Sequence, residues 1–66
     1  MKIKVNDKEV QFSGETLFEL IDEHGFMDRS GIAVAVNKTV IPRSEWQNYL
    51  LNHNDAVLII IPAQGG

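Results

Sequence analysis

Apolar and polar residues alternate twice near the start of the chain. Met1-Lys2-Ile3-Lys4-Val5 and Lys8-Glu9-Val10-Gln11-Phe12 each place every second side chain on one face, which predicts two strands. Asn6-Asp7 between them tolerates left-handed backbone, so the two runs read as a hairpin. Ser13-Gly14 ends the alternation, and the apolar spacing then becomes helical. Thr16-Leu17-Phe18-Glu19 has the spacing of a capping box, with Thr16 as N-cap and Glu19 at the third helical position. Leu17, Leu20, Ile21 and His24 follow on one stripe, and Gly25 is a natural left-handed stop, which predicts a helix over 17–24.

Ile32-Ala33-Val34-Ala35-Val36 is apolar at every position, the pattern of a strand covered on both faces or nearly so. Asn37-Lys38 is a turn. Thr39-Val40-Ile41 is a short strand stopped by Pro42, which cannot donate to a ladder. Ser44 to Leu51 is predicted as a short helix with Trp46, Leu50 and Tyr49 facing inward. Asn52-His53-Asn54-Asp55 is a loop, and Ala56 to Ile61 is a last strand that is apolar on both faces.

This order is β-β-α-β-β-(short helix)-β. The long apolar last strand belongs in the middle of a mixed sheet, with the 17–24 helix across one face. The expected class is α+β, on the β-grasp or ubiquitin-like plan. Residues 1–61 are expected to be the folded domain and 62–66 a flexible tail. Along the last strand Val57, Ile59 and Ile61 point one way, and Leu58 and Ile60 the other. One helix covers one face only, so the second set faces out. Either the 44–51 segment folds over it, or it is a docking patch of the kind that contiguous exposed apolar area marks. The pattern alone does not fix which set is outside.

Bulk properties narrow the classes. A chain of 66 residues buries only about 60% of its unfolded surface, leaving little to build an enclosed active site. Six basic and nine acidic residues give a net charge of −3 with no Lys/Arg cluster, which argues against nucleic acid and anionic membranes as partners. There is no cysteine, hence no disulfide, thiolate metal site or cysteine nucleophile in this sequence. Charges run through residues 1–12, unlike a signal peptide, and the apolar run 56–61 is far too short to span a bilayer. The expectation is a soluble cytoplasmic protein, monomeric when free.

The end of the sequence, Pro62-Ala63-Gln64-Gly65-Gly66, has a different character. Pro62 stops pairing, and five extended residues reach about 16 Å. Gly65 and Gly66 let backbone thread a channel that any Cβ would block. The unusual functional group is then the Gly66 carboxylate. A carboxylate is inert as an acyl donor until an ATP-dependent partner converts it to an acyl-adenylate, after which a sulfur or amine nucleophile attacks. A terminal Gly-Gly alone is a weak signal, since trimmed and idle tails end this way too.

Joined to the element order, several stretches sharpen it: Met1-Lys2-Ile3-Lys4-Val5-Asn6, Thr16-Leu17-Phe18-Glu19-Leu20, Val34-Ala35-Val36-Asn37, Val40-Ile41-Pro42-Arg43-Ser44-Glu45-Trp46, Asn54-Asp55 and Gln64-Gly65-Gly66. Over its whole length the chain resembles the bacterial sulfur carriers of thiamine biosynthesis, the ThiS family. The resemblance implies a recycled co-substrate rather than an enzyme, with no cofactor of its own. A ThiF-type adenylating enzyme would use Mg-ATP on Gly66, and a cysteine desulfurase system would supply sulfur for a thiocarboxylate. A ThiG-type thiazole synthase would then accept that sulfur. The candidate site residues are therefore Gln64 and Gly65 for threading of the tail, Leu58 and Ile60 of the last strand for docking, and Arg43 of the family-like motif as a further docking contact. One departure stands out: the family often has Gly-Asp before the last strand, where this chain has Asn54-Asp55. Asn tolerates positive φ next best after Gly, so the turn is expected to survive.

Other residues carry less. Arg43 is either a contact to the adenylating enzyme or a surface residue beside Trp46, and Trp46 is expected to close the core. His24 and His53 are too far apart to suggest a metal site. Asp22, Glu23, Asp28 and Asp55 are expected to be solvated surface. The competing functional readings are a molybdopterin synthase small subunit, a ubiquitin-like modifier, and a plain interaction module with an idle tail.

Overall fold

The computed structural model describes residues 1–62. Strands β1 (Lys2–Val5) and β2 (Lys8–Gln11) pair antiparallel, with Ile3 opposite Val10 and Val5 opposite Lys8. Their two-residue turn, Asn6-Asp7, has φ of 48° and 70°. Two positive φ values are the type I′ signature, whose twist matches that of the strands it joins. The same device joins β3 (Ala33–Val36) to β4 (Thr39–Val40), where Asn37 and Lys38 sit at 50° and 73°.

Helix α1 (Leu17–Glu23) begins with the capping box expected from its sequence. Thr16 Oγ1 accepts from the Glu19 N–H at 3.2 Å, and Glu19 Oε1 accepts from the Thr16 N–H at 3.2 Å. It ends in a Schellman motif: Gly25, at φ 80°, donates to Asp22 O, and Phe26 donates to Ile21 O. His24 is the C-cap rather than a helical residue.

Strand β5 (Ala56–Ile60) is central. It runs parallel to β1 and antiparallel to β3, and the described residues form one sheet in the order β2-β1-β5-β3-β4. This confirms the expected placement of the last strand. Asn6 lengthens the β1–β5 seam: its N–H donates to Val57 O, and its Oδ1 accepts from the Ile59 N–H at 2.8 Å. The core lies between the sheet and α1, with Ile3, Val5, Val34, Val36, Val57 and Ile59 against Leu17, Leu20 and Ile21.

The segment after Pro42 is a 3₁₀ helix, Arg43–Asn48, packed against α1. Trp46 is buried as expected, and its Nε1–H donates to Ile41 O at 2.9 Å. Leu50 is a correction: it is 62% exposed, and Leu51 is buried instead. The expectation assumed α-helical spacing from Trp46, but the 3₁₀ helix stops at Asn48 and the chain then runs extended. Tyr49 O accepts from the Leu17 N–H and the Leu51 N–H donates to Glu15 O, so Leu50, bridged to Thr16, points the other way. Ile61 is likewise exposed and lies past the end of β5, beyond the last residue paired with β3.

Candidate functional site

Register decides which aliphatic set of β5 is outside. β1 is polar on one face, with Lys2 and Lys4, and apolar on the other, with Ile3 and Val5. The parallel pairing sets Val57 beside Val5 and Ala56 beside Lys4. Val57 and Ile59 therefore enter the core, and Leu58 and Ile60 face out at 49% and 48% exposure. Leu58 is opposite Ala35, which is opposite Val40, and Ile60 is opposite Ala33. Directly opposed residues share a face, so these side chains form one apolar patch across three strands. Val40 is 64% exposed. Ala35 is buried although it lies on this face, because its single carbon sits between the larger Leu58 and Val40.

The 44–51 segment does not close this face, since Trp46 joins the core and its helix packs on α1. Beside the patch is an open depression of about 450 Å³ between the two type I′ turns. Ala35, Ala56 and Leu58 line it, with Lys4 and Lys38 at its edges. The participation of Val40, Ala33 and the two lysines is a product of strand order. No local sequence signal marks it.

Arg43 is not gathered with Leu58 and Ile60. It is exposed on the 3₁₀ helix, its guanidinium carbon 5.3 Å from the centre of the Trp46 ring. At an exposed site such a cation–π contact is worth about 0.5–1 kcal/mol. Gln64, Gly65 and Gly66 lie outside the described residues.

The loop before β5 carries a second correction. Asp55 is 8% exposed, not solvated surface. Its Oδ1 accepts from Asn37 Nδ2 at 2.9 Å and its Oδ2 from the Asn52 N–H at 2.8 Å. Asn37 also accepts from the Ala56 N–H through Oδ1, at 3.0 Å, and its own N–H donates to Ala56 O. The Val-x-Val-Asn and Asn-Asp stretches thus build one clamp that starts β5. Asn54 sits at φ 73°, so asparagine does occupy the left-handed position where the family often has glycine. Asp22, Glu23 and Asp28 are exposed, as expected.

The two histidines are engaged separately. His24 Nδ1 is 3.0 Å from Leu20 O, and His53 Nδ1 accepts from the Lys2 N–H at 3.1 Å. Among the described residues no group of three or more His, Cys, Asp or Glu is placed to hold a metal ion. None of their helices is long and apolar enough to cross a membrane. The Glu19 carboxyl is held below the usual glutamate range, first by the Thr16 N–H and then by the Glu15 N–H, both donating to it.

A five-stranded mixed sheet with one helix across one face and an aliphatic opposite face defines a β-grasp protein of the ubiquitin-like class. Two solved structures share this fold over the whole of the chain. The crystal structure of a thiamine biosynthesis protein (ThiS) from Geobacter metallireducens has a TM-score of 0.83 at 23% identity, with all of that chain covered. The NMR solution structure of a thiamine biosynthesis protein from the same organism has a TM-score of 0.79 at 23% identity, with 88% of that chain covered. In sequence, the chain is 30% identical over 67 residues to the sulfur carrier protein ThiS of Escherichia coli (strain K12), covering both proteins in full. The model of the ThiS family matches residues 2–66, and the chain belongs to that family.

Proposed function

We propose that this protein carries sulfur for thiamine biosynthesis on the carboxyl group of Gly66, as a recycled co-substrate and not a catalyst. In this reading a ThiF-type adenylating enzyme binds Mg-ATP. A carboxylate oxygen of Gly66 attacks the α-phosphorus, pyrophosphate leaves, and an acyl-adenylate remains. The outer sulfur of a protein persulfide, drawn from a cysteine desulfurase system, attacks the acyl carbon and expels AMP, and a thiol then cleaves the resulting acyl disulfide reductively, leaving a thiocarboxylate. A ThiG-type thiazole synthase takes that sulfur, and an oxygen from the acceptor or from water replaces it on the acyl carbon, which regenerates the carboxylate. The ATP and magnesium belong to the partner. Gln64 and Gly65 thread its channel, while residues 1–61 remain outside it as the folded domain and 62–66 act as the reactive tail.

The observation that carries the reading is the family match through residue 66, which includes the Gln64-Gly65-Gly66 end. The exposed aliphatic face supports it. A carrier that must be gripped by a partner while its tail is buried needs a docking surface, and Leu58 and Ile60 sit side by side on one. Arg43, from a separate element, would contribute at the margin.

The test is intact mass spectrometry after incubation with a ThiF-type enzyme, Mg-ATP and a sulfide donor, followed by sequencing of the C-terminal peptide. Replacement of one oxygen by sulfur at Gly66 is expected. Peptide sequencing is essential because oxidation of Met1 or Met27 adds nominally the same mass. An unmodified Gly66, with an enzyme that is active on its own carrier, would overturn the proposal.

A further inference from the structure

The β3–β5 ladder has a regular register from Val36↔Val57 to Ala33↔Ile60. Carried two residues beyond Ala33 and Ile60, that register sets Gly31 opposite Pro62. The ladder stops short of this pair, for reasons intrinsic to both residues. Gly31 has φ 76°, which turns the chain out of the strand line, and Pro62 has no N–H to donate. They nevertheless meet: a Cβ built on Gly31 would lie 3.4 Å from Pro62 Cγ. That is ordinary van der Waals distance, so the proline ring packs beside the glycine without filling the place of a Cβ.

We infer that Gly31 and Pro62 are positioning residues for the tail, the glycine providing a seat for the proline ring and the pair setting the bearing on which the chain leaves the sheet. The inference rests on the reading of Gly66 as the reacting residue. Proline locks its own φ and confines the preceding Ile61 to extended backbone. With those torsions set, the contact with Gly31 fixes how the ring lies against the domain. A partner that grips the open face then receives the chain end from a defined root, four residues before the reacting carbon.

The glycine requirement here has two separable parts. Left-handed backbone disfavours most side chains, while contact with the ring limits only what extends past a Cβ. Gly31→Asn separates them, because asparagine tolerates the left-handed φ and adds a side chain beside the ring. Pro62→Ala removes the ring and leaves Gly31 untouched. Both variants keep Leu58 and Ile60, so docking is preserved. ATP–pyrophosphate exchange with a ThiF-type enzyme should show kcat lowered on the order of tenfold in each, as for a misplaced reacting group, with KM within about twofold of wild type. A nuclear Overhauser contact between the Gly31 α-protons and the Pro62 ring should be present in the wild-type protein and absent from Pro62→Ala.

The outcomes are distinct. Wild-type kcat in both variants overturns the inference, even if their melting temperatures fall, since a merely structural contact would move stability alone. Absence of the wild-type Overhauser contact overturns the seat. Failure of the wild-type chain to support exchange removes the carrier reading itself, and this inference with it.

Discussion

Asn37 and Lys38 occupy the same kind of backbone, at φ 50° and 73°, yet glycine should act oppositely at the two positions. Asn37 has side-chain hydrogen bonds to Asp55 and to the Ala56 N–H. Asn37→Gly keeps the turn and deletes both, leaving the buried Asp55 one donor short. The expected cost is about 1–3 kcal/mol, seen as a lower urea midpoint. Lys38 is exposed, and no side-chain hydrogen bond of it is found among the described residues. Lys38→Gly relieves left-handed strain against glycine's extra chain entropy, so stability should change by less than about 1 kcal/mol, seen as a small rise in the urea midpoint. Equal shifts in the two variants would mean that the clamp adds nothing beyond turn geometry. The sequence marks Asn37 as a turn residue. It does not reveal the clamp, because Asp55 is 18 residues away and only the β3–β5 pairing brings them together.

Among the elements, α1 is the most legible, since both of its ends are written locally. Thr16 and Glu19 are three residues apart, and Gly25 directly follows the C-cap. Such ends need no knowledge of the rest of the fold. The 3₁₀ helix was less legible for the converse reason. Trp46 and Leu50 have α-helical spacing, but residues 49–51 are drawn into extended pairing with residues 15–17, a tertiary contact that outweighs local period. The capping box also titrates. Glu19 is more acidic folded than unfolded, because the Thr16 and Glu15 N–H groups favour its charged form. Its contribution is therefore fully present above the ordinary glutamate range and lost as pH falls through the lowered value. Glu19→Gln keeps an acceptor of the same shape without the charge. The melting-temperature gap between wild type and this variant should be largest near neutrality and close in acid. A gap independent of pH would show that the ionised carboxylate has no special role in the cap.

For the whole molecule the question is how one sheet keeps two aliphatic faces without losing its register. A one-residue slip of β5 would exchange its buried and exposed sets, and its own sequence offers little resistance to that exchange. This is why the outward set was not readable from the strand itself. β1 settles only which face of the sheet is the core face, with Ile3 and Val5 inward and Lys2 and Lys4 outward. Asn6 then pins the seam through Ile59, and Asn37 pins the start of β5 through Ala56. With register secured by its neighbours, β5 can expose Leu58 and Ile60 at no cost to the core. Substitutions along β5 should therefore alternate in effect. Ile59→Glu places a carboxylate in the core and should prevent folding. Leu58→Glu and Ile60→Glu should fold with stability within about 1 kcal/mol of wild type, as surface changes do. In adenylation by a ThiF-type enzyme they should raise KM by tenfold or more, a loss of about 1.4 kcal/mol of binding, with kcat little changed. That split is the reverse of the one expected at Gly31 and Pro62. A folded Leu58→Glu protein with wild-type KM would move the docking surface off the open face.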